Sequence, residues 1–550
     1  MDSPASHDLN AFPPAIVSTR WCEAVADPVF SAALAVFLNE RRWFAGKARS
    51  VAQVTIREQI PLTAEHAEAQ FLLVLFEVAY TTGPAETYVL PIRPATTDDS
   101  LSDAICRWTV RDTPQTGLLM DAAPDPALWS LLLQLIAAQE VIDTAGGRLT
   151  GSCFGSPVAV PTEGVPRVQS RQQSHSSAIF PPAMLMKLFR RVALGRNPEL
   201  EIGEFLSHVT PAAPVPRLLG ALEYRRANGD EFSLGVLQAF VPNDGDAWGY
   251  ALRSLGEFCS RVRGLSAPVP IPATVASILE IAGRPTSPAA AAALAHYAAD
   301  AELLGRRTGE LHVALASRSD VAAFEPASST VGEQQELHTS VCETAVRSLD
   351  LLAARQHQLP TGLQPIAARV LRSRDAILSR FAPLLDRRIA SQRIRVHGDY
   401  HLGQVLHTGA DFVIIDFEGE PDRPIAERRL RRSPLRDVAG MLRSFHYASR
   451  TDAMGLIPGV AGDADPVRRS WLDAWYVWTA AEFVRGYLEA TQGRAWRPSD
   501  AEELRWLLEV SLLEKLVYEL AYELNSRPDW AGIPLAALLE LEDSAASSPE

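Results

Sequence analysis

A carboxylate, an amide and a second carboxylate occur in a short stretch of the sequence, at spacings that suit the handling of a phosphate group. Asp399 follows His397 by two positions, Gln404 comes five positions after Asp399, and Asp416 follows the apolar run Phe412–Ile415. A run of aromatic and β-branched residues predicts a buried strand that delivers acidic residues to a site. Phosphoryl transfer from ATP needs a carboxylate that orients the attacking hydroxyl, and oxygen ligands that hold Mg²⁺ against the phosphates.

These spacings follow the kinase pattern H-x-D-x-x-x-x-N with a later Asp–Phe pair, with Gln404 in place of the asparagine. We therefore assign Asp399 as the catalytic base, and Gln404 and Asp416 as metal ligands. Asp416-Phe417-Glu418 stands in for Asp–Phe–Gly. The alternative is a polar turn between strands whose acidic side chains face solvent. His-Gly-Asp alone does not separate the two, and the added spacings of Gln404 and Asp416 favour the catalytic interpretation.

Lys187 is the candidate for binding the α- and β-phosphates of ATP. It lies among apolar residues in the predicted strand Ala183–Arg190, where an unpaired ammonium group is costly to bury. In kinases a helix carboxylate holds this lysine. The helix predicted after Asn197-Pro198 offers Glu201 for that role, with Glu204 as second choice. Alternatively, Lys187 ends an edge strand and its amine reaches water.

Two other segments are expected to contact the nucleotide. A serine-containing loop before the lysine strand would supply hydroxyl and backbone N–H groups to phosphate. The backbone at the end of the strand Glu231–Val241 would meet adenine as a hinge. The residues assigned to these contacts are Ser174, Ser176 and Ser177 in the loop, and Gln238, Ala239, Phe240 and Val241 in the hinge.

Composition indicates a soluble globular protein. The 550 residues predict two to four domains, and the hydrophobic fraction of 47% allows a large core. Five scattered cysteines without a CxxC pair argue against a disulfide framework or zinc site and favour a reducing cytoplasm. Neither a signal peptide nor an apolar run long enough for a membrane span is evident. A net charge of −14 disfavours a nucleic-acid partner.

The pattern of elements predicts an α+β protein in three parts. Residues 1–95 are expected to form a small α+β cap, 96–240 a nucleotide-binding lobe with Lys187, and 241–550 a mostly helical lobe that contains the catalytic loop 396–418. The string Arg41–Lys47 in the first part either contacts the rest of the protein or a ligand, or is a helix end whose aromatic pair packs locally, with Gly46 as the cap.

The last two predicted helices, Trp471–Ala490 and Ala501–Leu524, combine aromatic rings with acidic residues. Tyr518 and Tyr522 are four residues apart and share a helix face. Rings that cover C–H faces beside carboxylates that accept from hydroxyls suit sugar binding, although the same pattern also suits simple helix packing. The residues considered for substrate contact are His401, Glu418, Arg428, Tyr518, Glu519 and Tyr522.

With these residues in hand, the chain resembles the maltokinases, a family of the aminoglycoside-phosphotransferase-like kinases. The motifs that carry the resemblance are Arg41–Lys47, Lys187–Arg191, Asn197–Glu201, His397–Gln404, Asp416–Pro421, Ser433–Phe445 and Leu513–Leu520. The resemblance implies a bilobal protein-kinase-like fold with an N-terminal cap. One departure is His175, where the family's nucleotide loop usually has an asparagine.

The resemblance also implies the reaction: phosphorylation of maltose at its anomeric hydroxyl by ATP and Mg²⁺, giving maltose 1-phosphate for trehalose and glycogen metabolism. It implies trehalose synthase as a partner on a separate chain. A kinase for another small sugar or amino sugar would share the machinery. A non-catalytic pseudokinase scaffold and a carbohydrate-binding protein are further alternatives, which Mg²⁺-dependent ATP turnover with a sugar would exclude.

Overall fold

The computed structural model describes residues 14–17, 19–63, 70–96, 100–161, 164–169, 175–209, 213–460 and 465–546. Two compact units are present: residues up to 207 with 216–241 form the first, and 208–215 with 242 onward form the second. Within the described ranges, no helix is both long and apolar enough to cross a membrane.

In its described residues, the first unit contains two seven-stranded sheets and three α-helices. Its strands are β1 (Pro14–Val17), β2 (Val51–Leu62), β3 (Phe71–Tyr80), β4 (Glu86–Pro94), β5 (Ala104–Val110), β6 (Thr116–Asp121), β7 (Val141–Asp143), β8 (Gly147–Cys153), β9 (Arg167–Val168), β10 (His175–Phe180), β11 (Met184–Phe189), β12 (Arg191–Val192), β13 (Leu218–Arg226) and β14 (Glu231–Ala239). Its helices are α1 (Pro28–Glu40), α2 (Pro126–Ala137) and α3 (Pro198–Ser207).

The first sheet has the order β1-β5-β6-β4-β3-β2, with β12 pairing to β4, and only the β1–β5 pair is parallel among the pairs described. The second sheet has the order β7-β8-β13-β14-β11-β10-β9. The sequence predicts that the cap ends at residue 95. In the structure the first sheet continues to Asp121, because β5 and β6 belong to it.

Apolar residues cover both faces of the first sheet. One face packs against α1, whose N-terminus is capped by the Asp27 carboxylate. The other face shares a core with α2 and the second sheet. Strand β3 is accordingly apolar along nearly its whole length, as expected for a strand buried on both sides.

The aromatic pair of the Arg41–Lys47 string belongs to the core beside α1. Trp43 and Phe44 are buried there, with their rings 6.2 and 5.3 Å from the ring of Tyr88. Helix α1 ends at Glu40, so Gly46 is not its cap, contrary to the expectation from sequence. A Cβ on Gly46 would instead collide with Tyr80, so a glycine is required there by close packing.

The second unit is mostly helical. Its helices are α4 (Ala247–Val262), α5 (Val275–Ala282), α6 (Pro288–Leu294), α7 (His296–Leu315), α8 (Val331–Arg355), α9 (Gln364–Arg372), α10 (Arg374–Ser379), α11 (Pro383–Asp386), α12 (Ile425–Arg428), α13 (Leu435–Ser449), α14 (Pro466–Ala490), α15 (Ala501–Ser526) and α16 (Gly532–Ala546). Its strands are β15 (Ala327–Ser328), β16 (Gln392–Arg393), β17 (Val405–His407) and β18 (Phe412–Ile414). Helix α13 is buried at almost every position and packs against α14 and α15.

Candidate active site

Strands β17 and β18 form a hairpin that brings the two predicted metal ligands to the same end. The predicted strand Phe412–Ile415 is present as β18, paired in antiparallel register with β17. Beyond the last pair, Ile415 N–H donates to the Gln404 carbonyl over 3.0 Å, and Asp416 follows directly with a left-handed φ of 69°. An amide oxygen and a carboxylate at one end of a hairpin are the hard oxygen ligands that Mg²⁺ prefers.

The loop that carries Asp399 is held from below by one buried carboxylate. Asp437, on α13, accepts hydrogen bonds from His397 N–H over 2.7 Å and from Gly398 N–H over 2.9 Å, and His312 Nε2 lies 3.0 Å from its Oδ2. Burial alone would raise the pKa of Asp437, but these partners hold that pKa below its ordinary value. His397 Nε2 lies 2.9 Å from the Ile415 carbonyl, which ties the loop to the hairpin.

Helix α13 also approaches the loop closely. A Cβ added at Gly440 would come within 3.0 Å of the Tyr400 carbonyl, so only glycine fits there without movement. Ser444 accepts a hydrogen bond from Leu402 N–H over 3.1 Å, one turn further along the helix. The backbone around Asp399 is therefore fixed by a rigid buried helix, as a positioned catalytic group requires.

Lys515 contacts the predicted catalytic carboxylate. Its Nζ donates to Asp399 Oδ1 over 3.0 Å and to Glu420 Oε1 over 3.4 Å. Burial would raise the pKa of Asp399, but the charge of Lys515, followed by that of His401, holds this pKa well below the ordinary range. Burial would likewise lower the pKa of Lys515, but Asp399 and Glu420 hold it above its ordinary value. Both groups are therefore charged near neutral pH.

Glu420 connects this pair to a set of arginines. It is 2% exposed, and its Oε2 accepts from Arg423 Nε over 2.5 Å and from Arg436 Nη2 over 2.9 Å. Glu514 accepts from the same two arginines. Burial would raise the pKa of Glu420, but Arg436 and Lys515 keep it below its ordinary value. Paired charges of this kind can be buried because each has its partners.

A cavity of about 560 Å³ opens beside Asp399. Four of the six residues considered for substrate contact line it: His401, Tyr518, Glu519 and Tyr522. The rest of the lining includes Trp248, Tyr447, Lys515, Glu523, Arg527 and Trp530. The predicted base and most of the predicted sugar contacts are thus brought together around one space.

Arg428 and Glu418, although both are described, lie outside this lining. Arg428 donates from Nε to the Arg423 carbonyl over 2.7 Å and from Nη1 to the Glu418 carbonyl over 3.3 Å. These bonds hold the backbone turn after the hairpin, so in this structure Arg428 supports the loop and does not face the cavity.

Lys187 is buried in the middle of the second sheet. Strand β11 pairs with β10 on one side and β14 on the other, so the edge-strand alternative is wrong. Lys187 Nζ donates to Glu199 Oε1 over 2.9 Å, and Gln238 Nε2 donates to the same oxygen over 2.8 Å. The ammonium group and the carboxylate are only 5% and 1% exposed as residues, and each compensates the other's burial.

The structure pairs Lys187 with Glu199, whereas the sequence predicts Glu201, or Glu204 as second choice, in this role. The Asn197 side chain accepts from Glu199 N–H over 2.8 Å, which starts α3 as predicted and puts Glu199 in its first turn. Glu201 is two residues further along the helix, so its side chain leaves the helix about 200° around the axis from that of Glu199. Glu204 forms an ion pair with Arg196 over 2.6 Å.

The serines do not form the predicted loop where the structure describes them. Ser174 lies outside the described residues. Ser176 and Ser177 are in strand β10, where Ser176 Oγ accepts from Arg190 Nε over 2.8 Å and Ser177 Oγ donates to Gln169 over 2.8 Å. Both hydroxyls are thus engaged within the first unit, because the strand begins earlier than the serine-rich composition suggested.

At the predicted hinge, two backbone N–H groups also have partners within the first unit. Ala239 N–H donates to the Arg217 carbonyl and Phe240 N–H to the Ala183 carbonyl, each over 2.8 Å. These two donors serve the second sheet, so neither is available to adenine in this structure. The Gln238 side chain supports Glu199, and Val241 is the last residue of the first unit.

Two family models match the chain. Residues 37–125 match the maltokinase N-terminal cap domain, and residues 251–419 match the phosphotransferase enzyme family. The chain thus has one segment similar to a maltokinase N-terminal cap and another similar to the phosphotransferase enzymes. The first match contains the Arg41–Lys47 string, and the second contains His397–Gln404 and Asp416. The resemblance to maltokinases is confirmed by these two matches, whereas the other motifs that suggested it lie wholly or partly outside the matched residues.

Similar proteins include two glucosamine kinases. One, from Streptacidiphilus jiangxiensis, is 29% identical over 245 residues, which cover 43% of this chain and 48% of the relative. The other, from Mycolicibacterium smegmatis, is 32% identical over 156 residues, which cover 28% of this chain and 35% of the relative. The matches thus span about half, or less, of the curated relatives.

The fold is similar to that of solved glucosamine kinase structures. A structure of that enzyme in complex with glucosamine, ADP and inorganic phosphate has a TM-score of 0.57 at 18% identity, covering 96% of this chain and 100% of that one. A second crystal form has a TM-score of 0.58 at 19% identity. The predicted α+β, kinase-like fold with an N-terminal sheet cap and a helical C-terminal region is confirmed.

Several residues of the site were not assigned from the sequence. Three of them lie within the longer motifs given above but were assigned no role: Lys515, Glu420 and Asp437. A fourth, Glu199, was recognised only as part of a helix start. Spacing offered one signal for Lys515, since it lies three residues before Tyr518 and must share its helix face. The roles of Glu420 and Asp437 depend on contacts distant in sequence, which spacing does not reveal.

Proposed function

We propose that this chain is an ATP-dependent sugar kinase that phosphorylates maltose at its anomeric hydroxyl, giving maltose 1-phosphate. The observation that carries the proposal is the cavity beside Asp399, lined by rings and by paired charges. The cap-domain match supports maltose as the sugar. A separate trehalose synthase chain would supply that maltose.

The cavity suits a disaccharide in size and in chemistry. Its volume of about 560 Å³ lies within the range of about 300–1,000 Å³ that ligand sites usually have. Tyr518 and Tyr522 come from one face of α15, and Tyr447 and Trp530 add further rings. Such rings cover the C–H faces of pyranoses, while hydroxyls bond to the polar groups between them.

The charge pattern of the lining favours a neutral sugar over an amino sugar. Each lining carboxylate already has a cationic partner within the described residues: Asp399 bonds to Lys515, Glu519 accepts from Arg443 Nε over 2.8 Å, and Glu523 accepts from Arg527. A sugar ammonium group would have to compete with these cations. Neutral hydroxyls can add to such groups without displacing them.

Asp399 acts on the sugar hydroxyl. Because Lys515 keeps its pKa low, Asp399 is ionised and can accept a hydrogen bond from the anomeric hydroxyl, which directs the oxygen lone pair at the γ-phosphorus. As the new P–O bond forms and the bond to ADP breaks, the hydroxyl proton passes to Asp399. Lys515, beside it, would donate a hydrogen bond to a neighbouring sugar oxygen.

The nucleotide and metal would be held by other residues. Gln404 and Asp416 offer the oxygen pair that fits Mg²⁺, which neutralises phosphate charge when bound. Lys187, fixed by Glu199 and Gln238, has donors that suit phosphate oxygens.

Phosphorylation of glucosamine is the second candidate. Its support is specific, since both curated relatives are glucosamine kinases and the solved relative of like fold carries glucosamine, ADP and phosphate. For glucosamine to bind, Glu519 or Glu523 would have to break its ion pair with arginine and bind the sugar amino group instead.

A sugar panel tests the proposal. The purified chain is incubated with ATP and Mg²⁺ and with maltose, glucosamine, glucose or trehalose, and ADP release is measured for each. We expect the highest kcat/KM with maltose, and phosphorus–proton NMR should place the phosphate on the anomeric carbon. Preference for glucosamine would select the second candidate, and ADP release with no sugar above background would contradict both.

A further inference from the structure

The segment between Lys187 and its partner Glu199 passes through the sheet of the cap. Lys187 and Glu199 are 12 positions apart, and after β11 the chain leaves the second sheet and forms β12 in the first. Strand β12 pairs with β4 through Arg191 opposite Tyr88 and Val192 opposite Thr87. The chain then returns to the second sheet, where Gly195 N–H donates to the Glu231 carbonyl over 2.8 Å, before α3 begins.

Arg190 stands at the point where the chain enters the cap sheet. It is 1% exposed, and its Nη2 donates to both oxygens of Asp121, over 3.0 and 2.9 Å. Its Nε donates to Ser176 Oγ over 2.8 Å, and its Cζ lies 4.8 Å from the centre of the Trp43 ring. One guanidinium group thus joins the end of the cap sheet, the ring of the Arg41–Lys47 string, and strand β10 beside the lysine strand.

The adjacent residue makes a second connection. Arg191 Nη2 lies 2.9 Å from Glu86, which also accepts from the hydroxyls of Tyr80 and Tyr88, each over 2.6 Å. Burial would raise the pKa of Glu86, but these partners hold it below its ordinary value. The segment after Lys187 is therefore fixed to the cap by the buried Arg190, by the partly exposed Arg191 and by strand pairing.

We propose that the cap positions the nucleotide-binding lysine, and that Arg190, held by Asp121 and Trp43, is the positioning residue. The inference rests on the proposed function in one respect, that Lys187 binds nucleotide phosphates. Because both ends of the segment belong to the Lys187–Glu199 pair, a shift of β12 relative to β4 displaces that pair. ATP binding therefore requires rigid packing of the first sheet. The aromatic residues of the string Arg41–Lys47 contribute to ATP binding through this packing.

The test uses Trp43→Leu in the full chain, since this change removes the ring under Arg190 and leaves the ion pair with Asp121 intact. We expect KM for ATP, and the Kd of ATP measured by calorimetry without sugar, to rise about 2- to 30-fold, the range that couplings through packed networks usually show. KM for the sugar should stay unchanged. Trp43→Phe, which keeps an aromatic face, should restore ATP binding.

Arg190→Lys tests the same connection from its centre. Lysine keeps the charge but cannot bond Asp121 and Ser176 together while it stacks on Trp43, as the planar guanidinium group does. ATP affinity should therefore fall at least as far as in Trp43→Leu. The matched control is Arg57→Met, which removes an exposed ion pair with Glu77 on the same sheet and should leave KM for ATP unchanged. If Arg190→Lys does not fold, the comparison of Trp43→Leu with Trp43→Phe decides whether the inference holds.

The outcomes separate this inference from the proposed function. If Trp43→Leu and Arg190→Lys lower Tm but keep wild-type Kd and KM for ATP, the cap only stabilises the fold and the inference is overturned. If no sugar is phosphorylated but the two variants lose ATP affinity, the proposed sugar kinase fails and the inference holds. If the wild-type chain does not bind ATP, both fail.

Discussion

Replacing Lys515 by methionine should move the acidic limb of the pH–rate profile upward. In the wild type, the Lys515 ammonium group lies 3.0 Å from Asp399 and holds the pKa of that carboxyl well below its usual range. Activity needs ionised Asp399, so the limb set by this group lies below pH 4 and is not seen near neutrality. Without the ammonium group, burial is left to raise the pKa of Asp399.

The size of the shift follows from the distance. An opposite charge this close lowers a carboxyl pKa by about 1–3 units, which corresponds to about 1.4–4 kcal/mol. Coulomb's law with an effective dielectric constant of 20 gives about 5.5 kcal/mol at 3.0 Å, an upper bound because the pair borders a solvated cavity. We therefore expect the acidic limb of kcat/KM in Lys515→Met to rise by about two pH units.

The assay is ADP release between pH 2.5 and 8, with kcat/KM for the sugar measured at each pH, because the wild-type limb lies below pH 4. Lys515→Met should fold, because Glu420 keeps Arg423 and Arg436 as partners. Lys515→Arg keeps the charge and should show a smaller shift, and Arg505→Met, on the exposed side of the same helix, serves as the control. An acidic limb in Lys515→Met that coincides with that of the control would refute the reasoning.

Three further predictions concern the same two units. Asp399→Asn should abolish turnover while the Kd of ATP measured by calorimetry stays near wild type, and near-normal kcat would contradict its role as base. Glu199→Gln should raise KM for ATP about 10-fold or more, because hydrogen bonds to charged groups contribute about 1.5–3 kcal/mol, and Glu201→Gln should change it less; the reverse order would restore the original assignment. Gly440→Ala should lower the free energy of unfolding by about 1–3 kcal/mol in urea titrations, because its Cβ meets the Tyr400 carbonyl, and an unchanged midpoint would show that α13 can move.

The loop-and-hairpin arrangement of residues 396–418 was predictable because the residues that define it are close in sequence. His397, Asp399, Gln404 and Asp416 are close in sequence, and one hairpin with an apolar strand suffices to place them. The start of α3 was equally local, since Asn197-Pro198 is a strong helix-start signal and the cap bond is present. In each case a short-range pattern was enough to predict the element, although the Asp399 loop is also held by Asp437 and Ser444 on α13.

The partner of Lys187 was not predictable in the same way. Which of three glutamates meets it depends on how α3 is rotated against β11 and β14, and the packing of α3 against its neighbours in the first unit sets that rotation. The Lys515–Glu420 contact joins residues 95 positions apart, and the Asp437 bonds to the loop span about 40. The end of the first sheet was also missed, because β5 and β6 are short and only their pairing with β4 and β1 identifies them.

Strand β12 pairs with β4 of the first sheet but is translated after all the other strands of that sheet, which affects the nascent chain. Residue 192 leaves the ribosome 71 residues after residue 121 (192 − 121 = 71), which at about 5–20 residues per second takes roughly 4–14 seconds. Until then, the half of β4 that β6 does not cover lacks its neighbour β12. Asp121 lacks Arg190, and Glu86 lacks Arg191 but can already pair with Arg49. A nascent chain that has produced everything up to residue 125 therefore still carries an unfinished sheet, and its last strand arrives only after the lysine strand has been made.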